Sequence, residues 1–386
     1  MKLIIFFTAI LLLSSCKKGN VTEAPSVSYN YTLSPTQKIK SFALDSETRY
    51  NGFYLYPFTD RQGKEYLSFL NYRTNQILFY DLNTCDFLFK VDLDKEGPNG
   101  LSIVSGYYIK DFDNMYVSTY IYSGLIKVDT TKRIIQKIPY GTTKEEYKIV
   151  PSYTPSSHPY VPPIFIGSKL YITQMAADHI YPASKTPVTV SIDTLTHECE
   201  TMPFTYGDIF TTEQLSTRET ACSRIFNNNQ FIYSFQIDEN IYVASIDHGT
   251  IRKINIKSKY INNIPNDKIP VDFNQGAKQN LEVARYGDLI YDPYRKVYYR
   301  LAYPDTELEN TIQWRGRAVY GRKKFSIIIL DQNFNIIGET LFPESIYNSY
   351  VFFVDKEGLY MSRDYQMNYE QSENYMTFEL FKLDKD

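Results

Sequence analysis

Apolar and polar positions along this chain alternate in short runs, and one phrase recurs six times: a stretch of apolar residues closed by aspartate. It reads Ile77-Leu78-Phe79-Tyr80-Asp81, Leu125-Ile126-Lys127-Val128-Asp129 and Thr189-Val190-Ser191-Ile192-Asp193 in the first half. It returns as Val243-Ala244-Ser245-Ile246-Asp247, Ile327-Ile328-Ile329-Leu330-Asp331 and Leu380-Phe381-Lys382-Leu383-Asp384. Runs of this length rich in β-branched and aromatic residues predict strands, and the aspartate predicts a turn whose backbone amides its side chain accepts. Two strand-like runs precede most of the phrases and one follows. The first set is 53–56, 66–70, 77–80 and 87–91, with Asn71-Tyr72-Arg73-Thr74-Asn75 as a turn. Comparable sets begin near residues 105, 163, 223, 289 and 351. The grammar predicts four-stranded antiparallel sheets of ordinary strand length.

Repetition makes the fold expectation specific: an all-β, six-bladed β-propeller with four-stranded antiparallel blades. The last set shows three strands, and residues 39–44 form an apolar run with no blade of their own. This N-terminal strand is expected to complete the last blade and close the ring, which removes an exposed sheet edge. The six aspartates are spaced by 48, 64, 54, 84 and 53 residues. The longest gap does not hold a seventh blade, because residues 257–287 are polar and lack four further apolar runs.

Composition changes this picture little. The chain has 386 residues, 41 basic and 44 acidic side chains, and a net charge of −3, which lacks the concentrated basic face of a nucleic-acid binder. Its 36 tyrosines, 24 phenylalanines and single tryptophan favour pleated, half-buried surfaces, and packing of blade against blade is their main expected use. Cys85, Cys199 and Cys222 show no C-x-x-C spacing, so neither a zinc cluster nor a disulfide framework is expected.

The N-terminus reads as a targeting segment. Lys2 is followed by an apolar run over residues 3–13, too short to span a bilayer, and then by Leu13-Ser14-Ser15-Cys16. That ending resembles the bacterial lipobox. The resemblance implies removal of residues 1–15, acyl chains on Cys16 and a membrane partner through that lipid. Lys17-Lys18 in place of an aspartate favours sorting to the outer membrane of a Gram-negative envelope. Residues 16–34 are then a lipidated start and flexible tether, and 35–386 the propeller.

Loops of a propeller alternate between two faces. Turns between strands one and two and between three and four are short here and make a plain face. Nearly every insertion falls on the other face: 140–161, 203–221 and 257–287 between blades, and 176–186, 303–323 and 363–374 within them. Long loops gathered on one side of a rigid scaffold are where function concentrates. The richest is 303–323, with Trp314, Arg315, Arg317, Tyr320 and Arg322; Trp and Arg are common binding anchors, and guanidinium groups match carboxylate or phosphate. The alternative is a solvated charge run with a tryptophan covering a blade. Arg218, Arg285 and Arg363 belong to the same face and suggest an anionic-ligand basin. Arg224 stands out as the charged residue among mostly aromatic first strands.

Catalytic signatures do not emerge. His158, His179, His197 and His248 lack metal-ligand spacing, and a lone loop histidine is expected in solvent. No G-x-S-x-G elbow, P-loop or dinucleotide glycine pattern occurs, and no metal or cofactor is expected. Asp193-Thr194-Leu195 and Asp129-Thr130-Thr131 resemble O-glycosylation acceptors of Bacteroidetes, although a plain turn is the preferred reading of both.

Lipobox, tyrosine-rich six-blade grammar and length together resemble an uncharacterised family of Bacteroidetes propeller lipoproteins, TolB-like or NHL-like in the wider sense. The resemblance implies fold and location and carries no catalytic residue. The expected function is binding of a glycan, peptide or envelope protein by the looped face. The alternatives are a propeller-type hydrolase or lyase, such as a metal-dependent lactonase, and a structural scaffold.

Overall fold

The computed structural model describes residues 20–48, 54–152, 155–175, 182–211, 220–265, 272–310, 312–365 and 374–385. Cys16, Arg218, His179 and the leader segment lie outside the described residues.

The chain is all-β with a propeller-like arrangement of small sheets. The first sheet contains Leu55–Thr59, Glu65–Asn71, Gln76–Asp81 and Phe87–Asp92 in sequence order. The second contains Val104–Asp111, Asn114–Thr119, Gly124–Val128 and Ile134–Pro139, and the third Ile164–Ile166, Lys169–Thr173, Thr189–Asp193 and Cys199–Thr201. The fourth contains Cys222–Asn227, Gln230–Phe235, Asn240–Ser245 and Ile251–Asn255. An eight-stranded sheet holds two more sets: Arg285–Asp292, Val297–Tyr303, Ser326–Leu330 and Ile336–Leu341, then Asn348–Val354, Leu359–Ser362 and Tyr375–Lys385.

The strand Val27–Ala43 joins those two sets. It pairs antiparallel with Tyr375–Lys385 from Tyr31↔Lys385 to Ala43↔Tyr375, and its start runs parallel to Ile336–Leu341. Side chains fix it in place. Lys40 reaches Asp355 at 2.6 Å with both side chains buried, and Phe42 is fully buried against Tyr80, Phe353 and Phe378. Residues read from sequence as tether are therefore partly strand. Asn20–Glu23 also runs parallel to Ile251–Asn255, where Glu23 accepts two bonds from the Arg252 guanidinium at 2.8 and 2.7 Å. The sequence pattern hides this because the segment is polar and is held by partners about 230 residues away.

Between sheets the packing is aromatic. Tyr56 meets Tyr107 edge-on at 5.3 Å, and Tyr116 stacks on Phe165 at 4.7 Å. Buried Val351, Phe353, Tyr360 and Phe378 share one cluster with Leu55, Leu67, Phe69 and Tyr80, so the last set packs on the first sheet. Such ring pairs add to plain burial, which accounts for the tyrosine-rich composition.

The aspartate phrase does what its chemistry requires. Asp81 Oδ1 accepts from the Asn83 and Thr84 amides, Asp129 from Thr131 and Arg133, and Asp193 from Leu195 and Thr196. Asp247 accepts from Gly249, and Asp331 from Asn333 and Asn335. Asp384 differs, lying within the strand Tyr375–Lys385.

Two features were not expected. Residues 257–287 contain a helix, Phe273–Glu282, capped by Asp272 Oδ1 accepting from the Gln275 amide at 2.8 Å. Its sequence is too polar to show a stripe; Gly276 and Leu281 alone are buried, and Lys278 pairs with Glu282 at 2.5 Å. The second feature is a hairpin, Ser156–Ser157 with Tyr160–Val161, lying among the first strands. Leu55 N donates to Ser157 Oγ at 3.2 Å and Ser223 Oγ to Tyr160 O at 3.1 Å, while Gly106 has room for no Cβ because Pro155 O would sit 2.3 Å away. Strands of the first, second and fourth sheets thus grip one hairpin between them.

Candidate functional site

On one side of the hairpin lies a cavity of about 1010 Å3. Its walls include residues 118–124 and, from the insertions expected on the looped face, Tyr140, Pro151, Pro155, Ser156, His158, Pro159, Ala221, Phe273, Leu281, Arg285 and Arg322. On the other side a smaller cavity of about 450 Å3 opens among Tyr56, Tyr108, Tyr291 and Phe352. Ser156 and His158 line the larger one, Ser157 and Tyr160 the smaller.

The floor of the larger cavity is set by breaks in strand register. In Arg285–Asp292 the pairing jumps between Tyr286↔Ala302 and Leu289↔Arg300, leaving Gly287 and Asp288 opposite one residue. A β-bulge of this kind re-aims a side chain. Gly287 permits it, since a Cβ there would meet the Tyr303 ring at 2.5 Å. The fully buried Asp288 then accepts the Tyr160 amide at 2.6 Å on Oδ1 and faces His158 Nδ1 at 2.6 Å on Oδ2. The carboxylate fixes Nδ1 as the donor, so in the neutral ring Nε2 is the accepting nitrogen. The imidazole also stacks on Tyr350 at 3.9 Å. Register shifts at Val104/Gly106 and Asn348/Phe352 occupy equivalent places and bring Ser105 and Tyr350 to the same cavity.

Histidine burial corrects the sequence expectation. His158 has a 12% exposed side chain and a carboxylate partner, because its loop is gripped between sheets instead of ending at the surface. His248 is also buried, with Nε2 at 2.6 Å from the Tyr233 hydroxyl, and burial lowers its pKa to about 4.

The cavity rim is apolar and open. Tyr120, Ile121 and Phe273 are 76%, 75% and 75% exposed and all line it. Arg315 places its guanidinium 5.1 Å from the centre of the Phe273 ring. Inside, Ser105 and Ser118 hydroxyls lie 3.1 Å apart, and Tyr54 donates its hydroxyl to Ser105 O at 2.8 Å. Burial pushes the Tyr54 pKa up to about 12, so this phenol stays protonated.

The expected site residues separate. Arg285 and Arg322 line the cavity and are nearly buried. Arg285 Nη1 donates to Asn280 Oδ1. Arg322 Nη1 donates to Leu281 O at 2.6 Å and Val283 O at 3.0 Å, the carbonyls left open at the end of the helix. Trp314 is buried, its indole N–H donating to Glu309 O at 2.7 Å, so it pins its loop. Arg317 and Tyr320 are half-buried in the same loop. Arg363 lies 3.9 Å from Glu379 and does not line the cavity. Arg224 lines neither cavity, donating Nη2 to Pro162 O at 2.7 Å and Tyr171 O at 3.1 Å between the third and fourth sheets. Strand alternation explains it: Ser223 and Ile225 face the fifth set, so Arg224 faces the third.

Sequence reading passed over Asp288, Tyr120, Ile121 and Phe273. A signal existed for Asp288: a Gly-Asp pair entering an otherwise apolar strand. Among the described residues no three His, Cys, Asp or Glu side chains converge as a metal site, and no helix is long and apolar enough to cross a membrane.

A family model described as a domain of unknown function, DUF4221, matches residues 30–341. A crystal structure of a member of that family from Bacteroides vulgatus is 27% identical, covers 93% of this chain and 100% of its own, and superposes with a TM-score of 0.80. A Bacteroides fragilis structure, named as a candidate exported protein, is 10% identical, covers 95% and 100%, and has a TM-score of 0.50. A PQQ-bound aldose sugar dehydrogenase from Streptomyces coelicolor is 9% identical over 91% of this chain and all of its own, with a TM-score of 0.39, too low to carry any chemistry across. No curated protein sequence matches the chain.

Proposed function

The chain belongs to the DUF4221 family of unknown function, and from that premise we propose that it is an envelope lipoprotein whose looped-face cavity binds a ligand or partner. In this reading the eight-stranded sheet counts as two blades, so the sheets make a six-bladed propeller. The strand Val27–Ala43 closes the ring as the outer strand of the last blade, a role its pairing with Tyr375–Lys385 supports. The lipobox ending at Cys16 supports a lipid anchor, and Lys17-Lys18 supports the outer membrane.

One observation carries the binding reading: a cavity of about 1010 Å3 with exposed Tyr120, Ile121 and Phe273 at its mouth and polar groups within. Exposed aromatic side chains around a concave site are the usual composition of a recognition surface. The test is capture from native envelopes by the full lipidated chain, with mass-spectrometric readout of what is retained. The paired change Tyr120→Ala and Phe273→Ala should remove the retained species. Equal capture by wild type and the double variant would sink the proposal.

A second reading, a hydrolase or lyase, draws on His158 and Asp288 alone. A histidine oriented by a buried carboxylate at a cavity floor is a general base in many enzymes. It would predict substrate turnover that His158→Gln abolishes while binding persists.

A further inference from the structure

We propose that the looped-face cavity takes an anionic saccharide, in which Arg285 and Arg322 meet a carboxylate or sulfate and the aromatic residues cover the sugar ring. This rests on the binding function proposed above and names its ligand class. Among the described residues, the cavity wall includes two arginines and a histidine but no aspartate or glutamate. Arg285 and Arg322 are 3% and 2% exposed, so both charges sit largely out of water, where an opposite charge is felt strongly.

Arg322 is not saturated by the fold. Its Nη1 serves two helix carbonyls, while its buried Nε–H has no hydrogen-bond partner. A buried donor left unbonded carries a free-energy cost, and carbonyls alone do not neutralise a guanidinium. Arg300 shows the contrast. It is fully buried between sheets, donates to Ser234 Oγ and to the carbonyls of Asp238, Glu239, Asn240 and Ile256, and lines neither cavity. Arg224, which lines neither cavity, also keeps unbonded Nε and Nη1 donors, so what sets Arg322 apart is its place in the cavity wall.

Asp288 does not cancel this field. It is fully buried behind the floor and engaged by His158 Nδ1 and the Tyr160 amide. A planar oxyanion fits the guanidinium fork, and such charge-assisted bonds are the stronger kind. The saccharide part follows from the remaining wall. Tyr120 and Phe273, both three-quarters exposed at the rim, offer flat faces to the C–H surface of a pyranose. Ser105, Ser118 and Asn280 offer polar partners for its hydroxyls.

The experiment is calorimetric titration of the full chain in detergent with four probes: a tetragalacturonide, its methyl ester, a sulfated heparin tetrasaccharide and maltotetraose. At least one anionic probe should bind about tenfold or more tighter than both neutral ones, and the preference should shrink at high salt. Arg285→Gln should remove the preference, and Arg285→Lys, which keeps the charge but not the fork, should leave part of it. Circular dichroism and melting of each variant separate loss of binding from loss of fold. The proposal is overturned if neutral probes bind as well as anionic ones, or if no anionic probe binds at millimolar concentration. Neutral binding that Phe273→Ala abolishes leaves the binding function standing and removes the charge assignment. Anionic binding untouched by Phe273→Ala, Tyr120→Ala and Arg285→Gln removes both.

Discussion

Asp288 and His158 illustrate how a single residue acquires meaning only in place. Asp288 is fully buried, and its charge is held by an imidazole and one backbone amide at 2.6 Å each. Removing one partner of a buried pair leaves the other uncompensated. Asp288→Asn should therefore lower the unfolding free energy by about 3 kcal/mol, read from urea denaturation. His248 makes a pH prediction. Burial holds its folded pKa at about 4 against an ordinary value of 6.5. The unfolded chain then takes up the proton first as pH falls. Stability is full above pH 6.5, declines through the window down to about 4, and this site accounts for about 3 kcal/mol of the decline. His248→Gln should flatten that limb of the melting profile. Trp314 provides a third test. Its burial means that Trp314→Ala should destabilise the fold by about 3–5 kcal/mol, beyond any effect on capture.

Elements differ in how far the sequence discloses them. The aspartate turns are readable because acceptor and donors lie within four residues, as in Asp193 with Leu195 and Thr196. The Ser168 hydroxyl and these amides pull the Asp193 pKa down to about 2. The four-strand grammar is readable because alternation has period two. The bulge at Gly287 and Asp288 is not, because it is defined by pairing with Tyr286's and Leu289's partners on the next strand. Nor is the hairpin at 156–161, whose two-residue arms are too short to show alternation and gain their place from strands in distant sheets. Arg224 shows the same limit: its sequence marks it as charged, and only the sheet's facing decides that it points between sheets. The bulge yields its own prediction. Gly287→Ala would drive a methyl against the Tyr303 ring, so a loss of about 2 kcal/mol is expected from thermal melts, with the cavity floor displaced.

At the scale of the molecule, the proposed binding function gives the plain face a structural role and the looped face recognition. Short Asx turns tie strands on one side, and on the other the insertions fold into a helix, a helical loop and the walls of a large cavity. The strand Val27–Ala43 binds the two ends of the chain to one another through Lys40, Phe42 and the ladder to Tyr375–Lys385. The account as a whole rests on the looped face being the ligand face. Hydrogen–deuterium exchange of the full chain, with and without the species it captures from envelopes, tests this most directly. The account predicts slowed exchange in residues 118–124, 155–159 and 273–285, with the turns at 83–86, 130–133 and 194–198 unchanged. Protection confined to those turns, or to the cavity around Tyr291 and Phe352, would contradict it.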